Sequence, residues 1–276
     1  MDEVKESDIP TASKPWSLKT SWPSGKVPVE GDDVLIDSDM WIELDLAETP
    51  RLKKMEINGR LSFKDDKATL PKIHLMAHLI WVRAGELLIG TKEKPFEQEA
   101  LIEMLGETES ETLTLGGTVK AGNKVLATNN KVEMFGKKRC RMSRMIDSAD
   151  AGAKEIKVDK TVTGFDWAIG DSLFIATSTL HHTHSEYRKI TAITDGTITL
   201  DKALDHYHYG RATSTGDIYN NVDIRNEVLL LNRSVKIQGE KKDGWAGHVL
   251  VSDMLDGLTF RKGYMIADNV EFENLS

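Results

Sequence analysis

The chain of 276 residues has little of what usually stabilises a small secreted domain or anchors a protein in a membrane. Its single cysteine, Cys140, excludes an internal disulfide. No apolar run approaches the ~18 residues of a membrane-spanning helix. The first residues also lack the apolar core of a secretory signal peptide. The 21 glycines and the lack of heptad patterning argue against a helical bundle, so the fold must rest on a hydrophobic core of another kind.

The charge balance is mildly acidic, with 36 Lys and Arg against 44 Asp and Glu, a formal net charge of −8. We therefore do not expect nucleic acid as a partner. Hydrophobic residues make up 39% and charged residues 29%, which is typical of a globular chain rather than a disordered one. The sequence has neither a phosphate-binding glycine loop nor a Gly-x-Ser-x-Gly motif, so it does not indicate nucleotide hydrolysis or an α/β-hydrolase.

Short alternating segments separated by turn residues dominate the first half. Met55-Glu-Ile57 and Leu61-Ser-Phe63 alternate on either side of the turn signal Asn58-Gly59. The pattern recurs, and the turn glycines at Gly59, Gly85 and Gly116 lie 26 and 31 residues apart. This spacing predicts successive rungs of a coiled β-solenoid rather than a meander of hairpins.

The second half continues the pattern. Near Gln98–Leu105 a helical periodicity competes with a strand pattern. The final alternation, Val270–Phe272, has no strand after it, so we expect further coils in a longer protein or a capping element; an edge covered by a loop is the alternative. The candidate strands of this half are Ile156–Val158, Leu173–Ala176, Ile198–Leu200, Val228–Leu231, Val235–Ile237, Val249–Val251, Leu258–Phe260 and Val270–Phe272.

Four longer motifs follow one another along the chain. They are Ser21-Trp-Pro-Ser-Gly-Lys-Val-Pro-Val-Glu-Gly31-Asp-Asp-Val-Leu-Ile36, Leu52-Lys-Lys-Met-Glu-Ile-Asn-Gly-Arg-Leu-Ser-Phe63, Ile80-Trp-Val-Arg-Ala-Gly-Glu-Leu-Leu-Ile-Gly90 and Asp223-Ile-Arg-Asn-Glu-Val-Leu-Leu-Leu-Asn-Arg-Ser-Val-Lys-Ile-Gln-Gly-Glu240. Together they resemble the G-eight domain, named for eight glycines, and the segment that follows it in fibrocystin-like and hyaluronan-degrading cell-surface proteins. The resemblance covers roughly residues 16–270.

This resemblance implies an all-β chain built as a right-handed parallel β-helix. It implies a polar tail or linker over 1–15, a G-eight-like β domain over 16–145 and continuing coils over 146–276, incomplete at the C-terminus. It also implies an extracellular or cell-surface location, with a full-length protein that can be membrane-anchored. Vertebrate members carry cysteines where this chain has Lys241-Lys242-Asp243, which points away from a vertebrate hyaluronidase.

A first group of charged side chains suits cleavage of an acidic polysaccharide. Such cleavage needs a cation for the substrate carboxylate, a proton donor, and a base or nucleophile. The resemblance carries over Arg233 and Asp243 as catalytic residues, and His248 and Asp253 complete the predicted set. The alternative is a set of charged residues that flank β-strands and serve no catalysis.

A second group suits a metal ion. His182, His184 and Glu186 lie two residues apart, and His206 and His208 repeat that spacing, so each set shares one face of an extended segment. If the two segments meet, these five residues could bind a divalent metal; otherwise they are polar loop residues. Ca²⁺ is the other cofactor considered, at a cluster of aspartates that could equally be a turn. The cluster comprises Asp32, Asp33, Asp37, Asp39 and Asp45.

A third group is a basic run of five cations within eight residues of an acidic chain. It could bind an anionic glycan or the acidic face of a protein, or it could simply be a solvated connector. Cys140 lies inside the run, and we interpret it as a plain cysteine because no catalytic partner accompanies it. The predicted binding residues are the five cations of this run, Lys137, Lys138, Arg139, Arg141 and Arg144, together with Arg225 from the segment that holds the first group.

These observations favour a cell-surface or secreted β-helix module that binds glycan or protein partners. The alternatives are a hydrolase or lyase that shortens a hyaluronan-like polysaccharide, and a structural tile of a surface or ciliary assembly, as the likeness to fibrocystin implies. No motif demands a cofactor. Whether the chain is an enzyme stays open at the level of sequence.

Overall fold

A computed structural model describes residues 10–115, 119–211, 218–219 and 222–275. The predicted turn at Gly116 and most of the predicted tail over 1–15 lie outside these residues. The chain forms two compact units, unit 1 with residues 1–137 and 233–276, and unit 2 with residues 138–232. The described residues contain β-strands and two short 3₁₀ helices, Lys19–Ser21 and His182–His184, but no α-helix. The predicted all-β class is confirmed.

The strands of the first part of unit 1 are β1 Lys14–Pro15, β2 Asp33–Ile36, β3 Trp41–Leu44, β4 Leu52–Ile57, β5 Arg60–Phe63, β6 Lys72–Val82, β7 Glu86–Ile89, β8 Glu99–Met104, β9 Leu113–Leu115, β10 Val119–Gly122, β11 Val125–Thr128 and β12 Lys131–Phe135. Those of unit 2 are β13 Met142–Arg144, β14 Asp147–Ala149, β15 Glu155–Lys157, β16 Ser172–Ile175, β17 Glu186–Thr194, β18 Thr197–Leu200, β19 His208–Arg211, β20 Ile218–Tyr219, β21 Val222–Asp223 and β22 Glu227–Leu230. The chain then returns to unit 1 with β23 Val235–Gly239, β24 His248–Val251, β25 Met254–Asp256, β26 Thr259–Arg261, β27 Tyr264–Asp268 and β28 Val270–Glu273.

Unit 1 is built from two parallel sheets that the chain visits alternately. One sheet has the order β1-β3-β5-β7-β12-β27, and the other has the order β2-β4-β6-β8-β23-β28 with β11 and β24 joined to β6. Neighbouring strands in both sheets pair in parallel, whereas β9 with β10 and β25 with β26 form antiparallel hairpins. Each time the chain crosses unit 1, it therefore adds one strand to each sheet, next to a strand formed earlier in the sequence.

The core of unit 1 consists of apolar residues stacked in register across neighbouring strands. Ile42, Leu61, Leu87 and Val132 occupy matching positions on β3, β5, β7 and β12, and each is fully buried. Alternate residues point inward because side chains in a strand alternate between the two faces. Burying each such side chain contributes about 1.5–3 kcal/mol, so the register is fixed by the apolar alternation that the sequence displays.

The turn glycines predicted from spacing stack on one another at a corner between the two sheets. Backbone N–H groups of both Asn58 and Gly59 donate to the Ile36 carbonyl, and the N–H of Gly85 donates to the carbonyl of Ile57, its counterpart on the next strand. A Cβ on Gly85 would lie 1.8 Å from the Gly59 carbonyl oxygen. Asn58-Gly59 is thus a corner between β4 and β5, which belong to different sheets, and glycine is required there by close backbone approach.

Unit 2 pairs its strands in a different way. Its main sheet has the order β13-β22-β16-β17-β18-β15, and all of its neighbours are antiparallel. Two further antiparallel pairs, β14 with β19 and β20 with β21, complete the unit. Its own core surrounds Leu173, Ile175, Ile198 and Val228.

The predicted strands of the second half all coincide with observed strands to within two residues. Gln98–Leu105 is mostly a strand, β8, so its helical periodicity was misleading. Ala100, Ile102 and Met104 alternate toward the core of unit 1, and β8 pairs with β6 and β23. Residues 146–276 were predicted to continue the coils. Those up to 232 belong to the antiparallel unit 2, and after them β23, β24, β27 and β28 pair in parallel within unit 1 whereas β25 and β26 form a hairpin.

Candidate functional site

A buried carboxylate organises the most elaborate polar cluster of unit 2. Glu186, at the start of β17, is 3% exposed, and its oxygens accept hydrogen bonds from the backbone N–H groups of Asp205 and His206 at 2.9 Å. Its carboxylate also contacts His208 Nε2 at 2.9 Å and pairs with Arg188. Burial alone would raise the pKa of Glu186, but these hydrogen bonds and the Arg188 charge together hold that pKa below its usual value of 4.5.

This cluster determines where the neighbouring tyrosines point. His208 is fully buried, and its Nδ1 lies 2.9 Å from the Ala176 carbonyl oxygen. Side chains alternate along an extended segment, so Tyr207 and Tyr209 lie on the face opposite His208. The Tyr207 hydroxyl donates to Ser148 Oγ at 3.1 Å while its ring remains 43% exposed.

Both tyrosines line a cavity of about 490 Å³ within unit 2, here called the tyrosine cavity. This volume is in the range of small-ligand sites. Two of the predicted binding residues, Arg144 and Arg225, reach this cavity from distant parts of the chain. The lining comprises Arg144, Ala176, Thr177, Ser178, Tyr207, Tyr209, Asp223, Ile224, Arg225, Asn226 and Glu227.

Arginine and carboxylate side chains are paired around this cavity. Arg225 donates through Nε and Nη2 to the carboxylate of Asp223 at 2.8–3.2 Å, and its Nη1 lies 3.6 Å from Asp159. Arg144 Nη2 donates to Glu227 at 2.6 Å. Hydrogen bonds from Arg225 lower the pKa of Asp223, which keeps the carboxylate charged and the pair intact.

The two histidine segments do meet in unit 2. The rings of His184 and His206 stack with centroids 4.0 Å apart, and the His181 ring lies 5.1 Å from His184. Glu186 and His208, however, are engaged with each other and with buried partners. Among the described residues, no group of three or more His, Cys, Asp or Glu side chains is placed to share a metal ion. Metal binding by these residues therefore remains a prediction that no such cluster supports.

The predicted aspartate cluster in unit 1 serves local turns. Asp32 accepts from the Val29 N–H at 2.9 Å, Asp37 accepts from the Ser38 N–H at 2.8 Å, and Asp45 accepts from both polar groups of Ser17. The contacts of Asp32 and Asp37 are those of Asp-rich turns, whereas Asp45 joins two segments 28 residues apart.

The four predicted catalytic residues lie in unit 1 beside different partners. Asp243 caps the loop at Thr108, whereas the His248 ring contacts the Ala121 carbonyl. Asp253 accepts from the Gly263 N–H at 3.2 Å. Arg233 borders a cavity of about 200 Å³ together with Lys72, Glu99, Lys236 and Gln238.

Asp243 is held as an ionised carboxylate. Its Oδ2 accepts from the Thr108 N–H at 2.7 Å and from Thr108 Oγ1 at 2.9 Å, while Oδ1 accepts from the Trp245 N–H at 3.0 Å. The Thr108 N–H, above all, lowers the pKa of Asp243 to about 2. Asp243 therefore cannot serve as a proton donor near neutral pH.

A different acidic residue of the same loop, Glu240, lies near a small cleft of unit 1 without lining it. Glu240 accepts from Arg51 Nη2 at 2.6 Å and from the Gly106 N–H at 3.0 Å. Nearby, His78 borders a cavity of about 210 Å³ with Lys53, Leu79, Ser110 and Glu111. Burial and the Arg51 charge lower the pKa of His78, although Glu240 opposes this shift. The imidazole is therefore neutral at pH 7 and able to accept a proton.

The cations of the basic run, residues 137–144, lie beside different partners. Arg139, in unit 2, forms a bidentate pair with Asp171 at 2.8 Å and also contacts Asp166. Arg144 lines the tyrosine cavity, and Lys138 and Arg141 are exposed. Cys140 is a buried free thiol, and burial raises its pKa, which makes a reactive thiolate unfavourable.

Sequence reasoning missed Tyr207, Tyr209, Asn226, Arg51 and His78 as site residues. The alternation His206-Tyr207-His208-Tyr209 carried a usable signal, because one face would be polar and buried and the other aromatic. Arg51 and His78 carried no comparable signal, since they are separated from Glu240 by more than 150 residues of sequence.

The first half of the chain is similar to a known domain family. A model of the G8 domain matches residues 21–145. This match confirms the resemblance seen in the glycine-centred motifs.

The relatives extend this likeness to nearly the whole chain. Mouse fibrocystin-L is 25% identical over 96% of this chain, and human fibrocystin-L is 25% identical over 93%. Mouse fibrocystin is 29% identical over 81% of it. The chain spans only 7%, 6% and 5% of the respective lengths of these relatives. Within the described residues, no helix is long and apolar enough to cross a membrane.

Proposed function

We propose that this chain is a cell-surface or extracellular interaction module that binds glycan in the tyrosine cavity. The observation that carries the proposal is the convergence of Arg144 and Arg225 with Tyr207 and Tyr209 on one cavity of about 490 Å³. Aromatic rings with polar tips combine a flat apolar surface with hydrogen bonding. Fibrocystins are cell-surface or extracellular proteins, which supports the location.

The proposal includes an architecture for unit 1. The alternation of the chain between two parallel sheets is that of a parallel β-helix, with one rung for each passage. Crossovers between parallel strands are almost always right-handed, so we assign this coil a right hand. A solenoid of this kind presents long regular faces for partners, and a purely structural tile would use the same faces without a ligand.

Titration calorimetry with a panel of neutral and acidic oligosaccharides tests glycan binding. Tyr207→Ala is expected to weaken binding about tenfold or more, since burying one side chain is worth roughly 1.5–3 kcal/mol. Tyr187→Ala is the matched control, because Tyr187 is exposed in unit 2 and does not line the cavity. A folded protein that binds none of the panel would refute the proposal, and equal losses in the two variants would refute the site.

A second candidate function is polysaccharide cleavage at the cleft of unit 1. It is favoured by one observation, a neutral imidazole at His78 near the Arg51–Glu240 pair. A neutral imidazole can accept a proton as a general base, and an arginine can attract a substrate carboxylate. Burial alone would raise the pKa of Glu240, but hydrogen bonds from Gly106 and Arg51 lower that pKa, so its ionised carboxylate would orient Arg51 rather than donate a proton.

Incubation with high-molecular-weight hyaluronan, with and without Ca²⁺, tests this second function by polymer length on a gel. If the cleft is catalytic, the polymer shortens, and Glu240→Gln and His78→Ala each reduce the rate at least ~100-fold. Glu97→Gln, an exposed neutral substitution in unit 1, should leave the rate unchanged. Arg233→Ala tests the residue that the family resemblance singles out. Unchanged polymer with folded protein would eliminate cleavage of this substrate.

A further inference from the structure

We infer that the tyrosine cavity selects an uncharged, hydroxyl-rich saccharide and discriminates against an acidic one. This inference rests on the proposed glycan-binding function. Two arginines in a binding site would ordinarily indicate an acidic ligand, and the inference is the opposite. Two arginines and two carboxylates line the cavity, so its lining carries no net formal charge. Asp159, outside the lining but 3.6 Å from Arg225, adds a further negative charge.

Neither arginine offers an unoccupied Nε–Nη2 fork to a ligand carboxylate. The strongest recognition of a carboxylate uses two parallel N–H groups of one guanidinium. In Arg225 that pair, Nε and Nη2, already grips the carboxylate of Asp223. In Arg144, Nη1 donates to the carbonyl oxygens of Asp223 and Arg225 at 3.0 and 2.9 Å, and Nη2 donates to Glu227.

An acidic sugar would therefore meet charges that are already balanced. To bind an arginine it would have to displace Asp223 or Glu227, and those carboxylates would then lie beside the ligand carboxylate. Like charges brought together in this way oppose binding. A hydroxyl group faces no such penalty, because it can donate to either carboxylate without separating it from its arginine.

The remaining lining matches a neutral sugar. Ser178 Oγ donates to Asn226 Oδ1 at 2.9 Å and accepts from the Tyr209 N–H at 2.7 Å, which fixes these polar groups at the wall. Tyr207 and Ile224 are 43% and 53% exposed and supply apolar surface. Neutral amide and hydroxyl groups beside an aromatic ring can accommodate both the polar edge and the apolar face of a pyranose.

The test uses oligosaccharides of equal length that differ in their carboxylates. Suitable pairs are β1,4-linked glucose and glucuronate, β1,4-linked mannose and mannuronate, and hyaluronan oligomers whose carboxylates are reduced or intact. Affinities are measured by titration calorimetry with the whole chain at fixed ionic strength. We expect at least one neutral member to bind about tenfold or more tightly than its acidic counterpart.

The outcomes separate this inference from the function on which it rests. If an acidic member binds as tightly as its neutral counterpart or more tightly, the selectivity is overturned and glycan binding stands. If no member of any pair binds, both are overturned. If the neutral member binds more tightly than the acidic one and Tyr207→Ala abolishes its binding, the selectivity and the glycan-binding function are both supported.

Two variants test the physical cause. Asp223→Asn removes the negative charge that occupies the Arg225 fork, and Glu227→Gln removes the negative charge of the acceptor of Arg144 Nη2. Each is expected to raise the affinity of the acidic member about tenfold relative to the neutral one. Asp150→Asn, exposed and outside the lining, is the control. Circular dichroism verifies folding, and an unchanged ratio in whichever variant folds would overturn the inference.

Discussion

Replacing Gly85 by alanine is expected to destabilise unit 1 by about 3 kcal/mol or more. The added Cβ would lie 1.8 Å from the carbonyl oxygen of Gly59, and both partners of the clash are backbone. The carbonyl of Gly59 also accepts the N–H of Glu86 at 2.8 Å. It therefore cannot move without loss of this hydrogen bond between the start of β5 and the start of β7. Urea unfolding followed by tryptophan fluorescence measures the effect.

The fluorescence signal suits this measurement because the tryptophans are unevenly distributed. Of the six in the chain, Trp167 belongs to unit 2 and the other five to unit 1. Gly31→Ala is the control in the same unit, since its φ of 82° is strained for alanine but its Cβ would meet nothing within 4 Å. That strain costs about 1–2 kcal/mol. A Gly85→Ala protein no less stable than Gly31→Ala would contradict the stacked-glycine corner.

Replacing Glu186 by glutamine is expected to destabilise unit 2 by about 3–5 kcal/mol, because it leaves the buried Arg188 charge without its closest carboxylate. The amide would also place an NH₂ group among donors, since Asp205 and His206 present backbone N–H groups to the carboxylate. Hydrogen exchange of peptides covering 186–208 measures the loss within unit 2. Glu155→Gln, exposed on β15, should change stability by less than about 0.5 kcal/mol.

The same carboxylate gives unit 2 a predictable dependence on pH. The pKa of Glu186 is lowered in the folded protein from 4.5, so the unfolded chain binds a proton at higher pH than the folded one does. Its contribution to stability is therefore complete above about pH 4.5–5 and is lost as the pH falls toward the folded pKa. The Glu186→Gln protein should lack this part of the acid dependence. Identical acid profiles of the two proteins would contradict the assigned role.

The strands could largely be predicted from the sequence, because apolar alternation is a local signal. The sequence also indicated turns at Gly59 and Gly85, and the structure places these two glycines directly against each other. What the sequence did not indicate was the choice of partner strand. Alternation is the same in parallel and antiparallel sheets, so Leu173–Ala176 and Val228–Leu231 could be recognised as strands without revealing that they pair antiparallel within a separate unit.

The residues of the tyrosine cavity could likewise be predicted from the sequence only in part. Arg144 and Arg225 were identified by charge and by motif, and Asp223 lies only two residues from the Arg225 that it neutralises. Nothing local indicated that the two arginines lie together or that Glu227 pairs with Arg144. The contacts of Arg144 with Arg225 and Glu227 join residues about 80 positions apart, and pairing at that separation depends on the completed fold. Tyr207 and Tyr209 became recognisable only once His208 was known to be buried.

The place where the chain leaves unit 1 is also the place where it returns. The N–H of Lys137 donates to Ser234 Oγ at 2.7 Å, and the residues between them form unit 2. Because loop closure depends only weakly on length, a closed junction of this kind lets the intervening residues 138–232 differ in length and content at little cost to the parallel sheets and glycine corners of unit 1.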